Sequence, residues 1–211
     1  MLVGLIIVFS VMVIGSLVYL FWDKIAYIRE KNFFSKDVGA KVYQLAVEND
    51  FYLINKVALA IDTKVIHFDH LLFTNKYIYC IGVKYFTGSI SGKYDDAQWF
   101  LYNKKNNVQH IKNPMVLPKL RLDYLKLALK DTQGLFKSLV IVNNSCLVDE
   151  KINFPKSNKM INVKQLKSYI KTQEKNNIPS IDPDQLDTLV QNIYKRSVKT
   201  IDDMENKNEI K

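Results

Sequence analysis

Two charged residues, Asp69 and Lys84, lie in neighbouring strand-like stretches of this sequence and could face each other. Both stretches are rich in β-branched and aromatic residues, and Asn75 and Lys76 between them form a turn signal. A hairpin of this length can bring the carboxylate close to the ammonium group. Two interpretations are open: a salt bridge at the edge of a sheet, or two members of a functional site.

Gly82 stands inside the second of these strands, in the sequence CIGVK, two residues before Lys84. Side chains two residues apart on a strand share a face, so positions 82 and 84 are predicted to face the same way. Glycine in a strand interior costs roughly 0.5–1 kcal/mol relative to alanine. A missing side chain beside a charged one therefore requires a specific reason.

The order of several short motifs resembles the nuclease-related domain (NERD) family, a branch of the PD-(D/E)xK nuclease superfamily. The resemblance covers roughly residues 36–197 and is densest between Phe68 and Trp99. The motifs are GAKVYQLA from residue 39, FDH at 68–70, CIGVK at 80–84, TGSISG at 87–92, DDAQW at 95–99 and NPMVL at 113–117. The family resemblance implies a restriction-endonuclease-like layered α/β/α domain with a mixed sheet.

The resemblance also implies phosphodiester hydrolysis with carboxylate-held Mg²⁺ and a lysine that orients or activates water. Asp69 and Lys84 match the family motif, whereas Ala40, Gly82 and Leu117 stand where the family has a helix glutamate, the glutamate of ExK and a glutamine. One carboxylate beside one lysine is a poor magnesium site. We therefore predict a degenerate nuclease site with no cofactor, in which Gly82 stands where a metal ligand was lost.

A carboxylate from another position could still complete the site, because a metal needs an oxygen at a place and not at a sequence position. Asp37, one helical turn before Ala40, is the best candidate for a second metal ligand beside Asp69. The alternative prediction is then an active Mg²⁺-dependent DNA endonuclease with a shifted ligand. Asp95 and Asp96 are expected in a solvated loop.

The basic residues suggest a nucleic-acid partner. The formal net charge is +9, and the most basic short stretch, YNKKNNVQHIK, is predicted to be a hairpin. Its candidate phosphate contacts, to DNA or RNA, are Lys104, Lys105, His110 and Lys112. Two alternatives remain open: a solvated loop in a chain biased toward lysine, asparagine and isoleucine, or a membrane-tethered protein-interaction module that needs no anion-binding face.

The first 22 residues contain no Asp, Glu, Lys, Arg or His and predict a transmembrane anchor, because about twenty apolar residues span the hydrocarbon core of a bilayer. Four basic residues come soon after the anchor: Lys24, Arg29, Lys31 and Lys36. The positive-inside rule therefore predicts a single-pass cell-membrane protein with its N-terminus outside and its C-terminal domain in the cytoplasm.

The elements that position these residues are predicted from periodicity and turn signals. We predict one α/β domain over residues 36–199, after a juxtamembrane segment at 23–35 and before a charged, disordered tail at 200–211. The predicted helices are 35–47, from about 114–118 to 130, 163–174 and 184–197, and the predicted strands are 51–61, 65–74, 77–85, 89–94, 98–102, 136–142 and 160–162. The two cysteines, Cys80 and Cys146, are predicted to be buried thiols.

Overall fold

The computed structural model describes the backbone of residues 2–61, 64–103, 107–129 and 135–198, and their side chains except those of residues 2–9, 11, 14 and 17. The chain divides into two compact units, residues 1–37 and 38–211. The elements in chain order are α1 (Leu2–Asn49), β1 (Tyr52–Ile61), β2 (Lys64–Phe73), β3 (Ile78–Lys84), β4 (Gly88–Ser91), β5 (Gln98–Asn103), β6 (Val108–Lys112), α2 (Val116–Leu129), β7 (Phe136–Val142), β8 (Leu147–Val148), β9 (Asn158–Asn162), a 3₁₀ turn (Val163–Gln165), α3 (Leu166–Glu174) and α4 (Pro183–Arg196).

Helix α1 is much longer than the sequence predicts. The predicted start at Ser35 is wrong, because residues 16–38 contain neither glycine nor proline and nothing interrupts the helix there. The helix ends at Asn49, two residues beyond the predicted range of 35–47, and Asp50, with a φ of 55°, follows the last helical residue. Ser35 is therefore an interior residue of α1 and not its cap.

Many side chains of the predicted membrane span, and the whole predicted tail, lie outside the described part of the chain. Over the described residues, none of the helices combines the length and the apolar content of a bilayer crossing. Much of the predicted span, residues 1–22, consists of residues whose side chains are not described, and the tail at 200–211 lies wholly outside the described residues.

The first of two sheets is mixed and has the strand order β1-β2-β3-β7-β9. Strands β1, β2 and β3 are antiparallel neighbours, whereas β7 pairs in parallel with both β3 and β9. All seven residues of β7 are buried. The predicted strand at 136–142 is confirmed, and its continuous apolar run is typical of a strand covered on both faces.

Helices cover both faces of the first sheet. On one face Leu122 and Leu125 of α2 and Ile193 of α4 share a core with Phe68 and Cys80 of the sheet. On the opposite face α3 packs on β3, where the rings of Tyr169 and Tyr79 meet edge to face with their centroids 6.5 Å apart. The fold of the second unit is therefore mixed α/β, as predicted.

The second sheet, with the order β6-β5-β4-β8, was not anticipated as a separate sheet. Its inner side chains Ile90 and Trp99 form one core with Val140, Val142 and Cys146. The predicted hairpin over residues 102–112 is the β5–β6 pair. Strand β8 has only two residues, too few to give a periodic signal in the sequence.

The TGSISG motif is explained by close packing within the second sheet. Gly88 has a φ of +154°, and a Cβ there would overlap the carbonyl oxygen of Tyr102. A Cβ on Gly92 would lie 2.5 Å from Cδ1 of the buried Trp99 ring. Both positions therefore need glycine for steric reasons that have nothing to do with catalysis.

We predict that Gly88→Ala lowers the free energy of unfolding by ~1–3 kcal/mol or more, because the new methyl group must displace the β5 backbone. Urea unfolding of the variant, compared with Ser89→Ala on the same strand as the control, measures the loss. Equal stability of the two variants would contradict the packing of β4 on β5.

Candidate functional site

Asp69 lies where strand β2 separates from β3. The two strands pair only between residues 70–73 and 78–81. Beyond that pairing, Oδ2 of Asp69 accepts a hydrogen bond from the backbone N–H of Val83, with a nitrogen–oxygen distance of 3.2 Å. The carboxylate thus replaces a backbone carbonyl as the partner of β3 and is held at this end of the sheet.

Position 82 faces this carboxylate. A Cβ added to Gly82 would lie 3.9 Å from Oδ2 of Asp69 and 3.7 Å from Cγ of Pro118 on helix α2. These are ordinary van der Waals distances, so a first side-chain atom could be accommodated. Lys84 follows on the same face of β3 and is half-buried. Asp69, position 82 and Lys84 therefore lie on one face, and the role of Asp69 and Lys84 as site residues stays a prediction.

The cation beside Asp69 comes from helix α2. Nη1 of Arg121 lies 3.6 Å from Oδ2 of Asp69, and the two side chains are 24% and 42% exposed. The sequence-based prediction missed this contact. A signal was present, because Arg121 is one of only three arginines and follows Leu117 by four residues, one helical turn, in α2.

The residues around Asp69 do not fit a magnesium ion. Mg²⁺ requires an octahedral set of oxygen ligands, but position 82 carries no side chain and the Arg121 guanidinium already lies against Asp69. In the part of the chain that the structure describes, no group of three His, Cys, Asp or Glu side chains could hold a metal ion. Asp95, which is expected in a solvated loop, is 82% exposed and pairs with Lys119 at 3.7 Å.

Two other positions of the family motif, Ala40 and Leu117, are exposed to solvent. Ala40 is exposed on α1, and the Leu117 side chain is 52% exposed at the start of α2. Asp37 belongs to the first unit, residues 1–37, and its role as a metal ligand stays a prediction. The neighbouring His70 is buried on the opposite face, where Nδ1 lies 2.7 Å from Oδ1 of Asn55 and burial lowers the His70 pKa.

The predicted nucleic-acid contacts belong to a different part of the molecule. His110 and Lys112 are exposed residues of β6 in the second sheet. The His110 ring lies against the Phe100 ring, with 4.9 Å between centroids. Lys104 and Lys105 lie outside the described residues.

The two cysteines are free, buried thiols, as predicted. Burial raises the pKa of each to about 12. Cys80 lies two residues before Gly82 on the same face of β3, and its buried thiol is unreactive.

Comparison with known proteins identifies the family. The profile of the nuclease-related domain (NERD) family matches residues 32–143, more than half of the chain, and the chain belongs to this family. No curated protein matches the chain. A solved structure, the protein of unknown function AF1548, is similar over 71% of this chain and 73% of its own, with 13% identity and a TM-score of 0.35.

We predict that Gly82→Glu alone binds Mn²⁺ poorly, because the new carboxylate pairs with Arg121. The double variant Gly82→Glu/Arg121→Gln offers two carboxylates without the competing cation. Its melting temperature should therefore rise with Mn²⁺ by mass action, by an amount that corresponds to ~2.7 kcal/mol at a hundredfold excess over the dissociation constant.

Thermal melts with and without Mn²⁺ give this comparison, and adding Asp69→Ala to the double variant is the control. An equal Mn²⁺ shift for the single and double variants would show that Arg121 does not compete for the site. No shift in either would show that position 82 does not face a metal site.

Proposed function

We propose that this chain is a membrane-anchored, cytoplasm-facing NERD protein that has lost nuclease activity and binds nucleic acid, DNA or RNA. The observation that carries the loss of activity is the contact between Asp69 and Arg121 opposite Gly82. A NERD nuclease site needs carboxylates around a metal, and here the one motif carboxylate has an arginine for its cation.

Arginine can replace only part of what a metal ion does. A bound metal neutralises phosphate charge and lowers the pKa of a coordinated water, which makes hydroxide available at neutral pH. A guanidinium pairs well with phosphate oxygens, but it has no coordination position for water and is not deprotonated in proteins. Arg121 can therefore help to bind a phosphate group, but it cannot supply the activated water that hydrolysis of a phosphate ester needs.

The arrangement of the first sheet supports the finer description of the fold as restriction-endonuclease-like. Its mixed sheet has α2 and α4 on one face and α3 on the other, which gives three layers. Asp69 and Lys84 lie on adjacent strands of that sheet, near the end where β2 and β3 separate.

The membrane anchor is proposed from the sequence of residues 1–22 and from exposed apolar side chains of the first unit. Met12, Tyr19, Leu20 and Trp22 are each at least 60% exposed on α1. Apolar side chains in this number are rarely left in water, and a bilayer is a suitable environment for them. Lys24, Arg29, Lys31 and Lys36 support a cytoplasmic location for the C-terminal domain.

For the anchor we predict that the full chain stays with membranes after an alkaline carbonate wash, because an inserted apolar helix is not released by breaking ionic contacts. A protease added to intact cells should leave the C-terminal domain uncut. Release by the wash would contradict the anchor, and cleavage in intact cells would contradict the orientation.

For the loss of nuclease activity we predict that the full chain in detergent cleaves neither plasmid nor single-stranded DNA in Mg²⁺ or Mn²⁺. The Asp69→Ala variant, prepared in parallel, should give the same background. Cleavage by the wild type that disappears in Asp69→Ala would contradict the proposal and establish the alternative, an active nuclease with a shifted metal ligand.

A further inference from the structure

The outer face of the second sheet carries two exposed aromatic rings. Along β5 the side chains alternate: Trp99 and Leu101 are buried, whereas Phe100 and Tyr102 point outward and are each 37% exposed. The buried residues Trp99 and Leu101 belong to the core that the second sheet forms with the first. The outward rings contribute nothing to that core, so their aromatic character is not explained by packing beneath the sheet.

Neighbouring strands extend this aromatic face. Phe100 pairs with His110 across the β5–β6 ladder, and Tyr102 pairs with Val108, which is 50% exposed. On the other side of β5, Tyr102 pairs with Ser89 of β4. The result is a surface with two rings at its centre and small or polar side chains beside them.

The β6 side of the aromatic face carries the positive charge that a polyanion needs. Strands β4, β5 and β6, residues 88–91, 98–103 and 108–112, contain no aspartate or glutamate. Strand β6 ends in the exposed Lys112, and the sequence between β5 and β6 contains Lys104 and Lys105. On the other side of β5, Ser91 of β4 donates a hydrogen bond to the carboxylate of Asp149 at 2.7 Å, so the acidic charge lies at the β4 side of the face and the lysine at the β6 side. Exposed aromatic rings beside a lysine-bearing strand have the chemistry of single-stranded nucleic-acid platforms.

We propose that this face binds a single-stranded nucleic acid whose bases stack on Phe100 and Tyr102 while Lys112 contacts the phosphate backbone. The inference rests on the nucleic-acid binding proposed above and names the surface and the strandedness of the ligand. It places the binding surface on the second sheet, away from Asp69.

The spacing of the two rings favours a single strand over a duplex. Residues two apart on one strand are separated by about 6.8 Å, because the rise is about 3.4 Å per residue. Successive bases in a duplex are about 3.4 Å apart along each strand, and their faces are covered by one another. An extended single strand can separate its bases to match the rings and leaves its base faces free to stack.

The test measures the affinity of the full chain in detergent micelles for a fluorescein-labelled 20-nucleotide DNA strand and for the corresponding duplex. The single strand should bind more tightly. Tyr102→Leu and Phe100→Leu should each weaken single-strand binding by about 5- to 150-fold, the range expected for the loss of one stacked base. Tyr102→Phe should retain the wild-type affinity, because it keeps the ring.

Two further variants separate stacking from charge and from the general loss of an exposed aromatic residue. Tyr194→Leu, at a 53% exposed position of α4, is the matched control and should bind as the wild type does. Lys112→Gln should weaken single-strand and duplex binding alike and reduce the slope of log affinity against log salt by about 1.

The outcomes distinguish this inference from the proposed function. Nucleic-acid binding that is unchanged in Phe100→Leu and Tyr102→Leu would overturn the stacking surface and leave nucleic-acid binding in place. No salt-dependent binding to either DNA would overturn both and favour the protein-interaction module. Binding to phosphatidylserine vesicles that needs the same two rings, without binding to DNA, would overturn the inference in favour of a membrane-contacting surface.

Discussion

The parallel pairing of β3 with β7 is the constraint on which the rest of the second unit depends. Seven residue pairs, from Ile78 and Phe136 to Lys84 and Val142, join two strands that are separated by the whole β4–β6 and α2 segment. A parallel pair needs such a crossover, and the apolar side chains of both strands need cover on both faces. Helix α2 provides cover on one face, and in doing so it brings Pro118 and Arg121 to the end of β3 where Asp69 lies.

The Asp69–Arg121 contact matters because it places a positive charge beside the carboxylate, and it contributes little to the free energy of unfolding. Both side chains are partly exposed, and such a pair contributes only ~0–1 kcal/mol. The Arg121 guanidinium nevertheless supplies a positive charge beside the Asp69 carboxylate, where a metal ion would otherwise bind. Binding of anionic ligands and hydrolysis of their esters have different requirements, and we propose that glycine in place of the family's glutamate at position 82 removes only the capacity for hydrolysis. The nucleic-acid surface that we propose lies on the exposed face of the other sheet and does not use this site.

The sequence was informative where a single segment determines the outcome. The continuous apolar run of β7 and the turn at Asn75 predicted the buried strand and the β2–β3 hairpin, and the motif order predicted the family. No single segment predicts the contact between Arg121 and Asp69, because it joins residues 52 positions apart and depends on the rotation of α2 about its axis. The second sheet was missed as a sheet because β6 is mostly exposed and β8 is two residues long.

The loss of nuclease activity that we propose depends on Asp69 having a protein cation and not a metal ion as its partner. Crystals of the wild-type protein grown with Mn²⁺ test this directly, through an anomalous difference map at the manganese edge. We expect no peak beside Asp69, and Arg121 in contact with Oδ2. A peak about 2.1 Å from the Asp69 carboxylate, with Arg121 displaced, would show that the site still holds a metal.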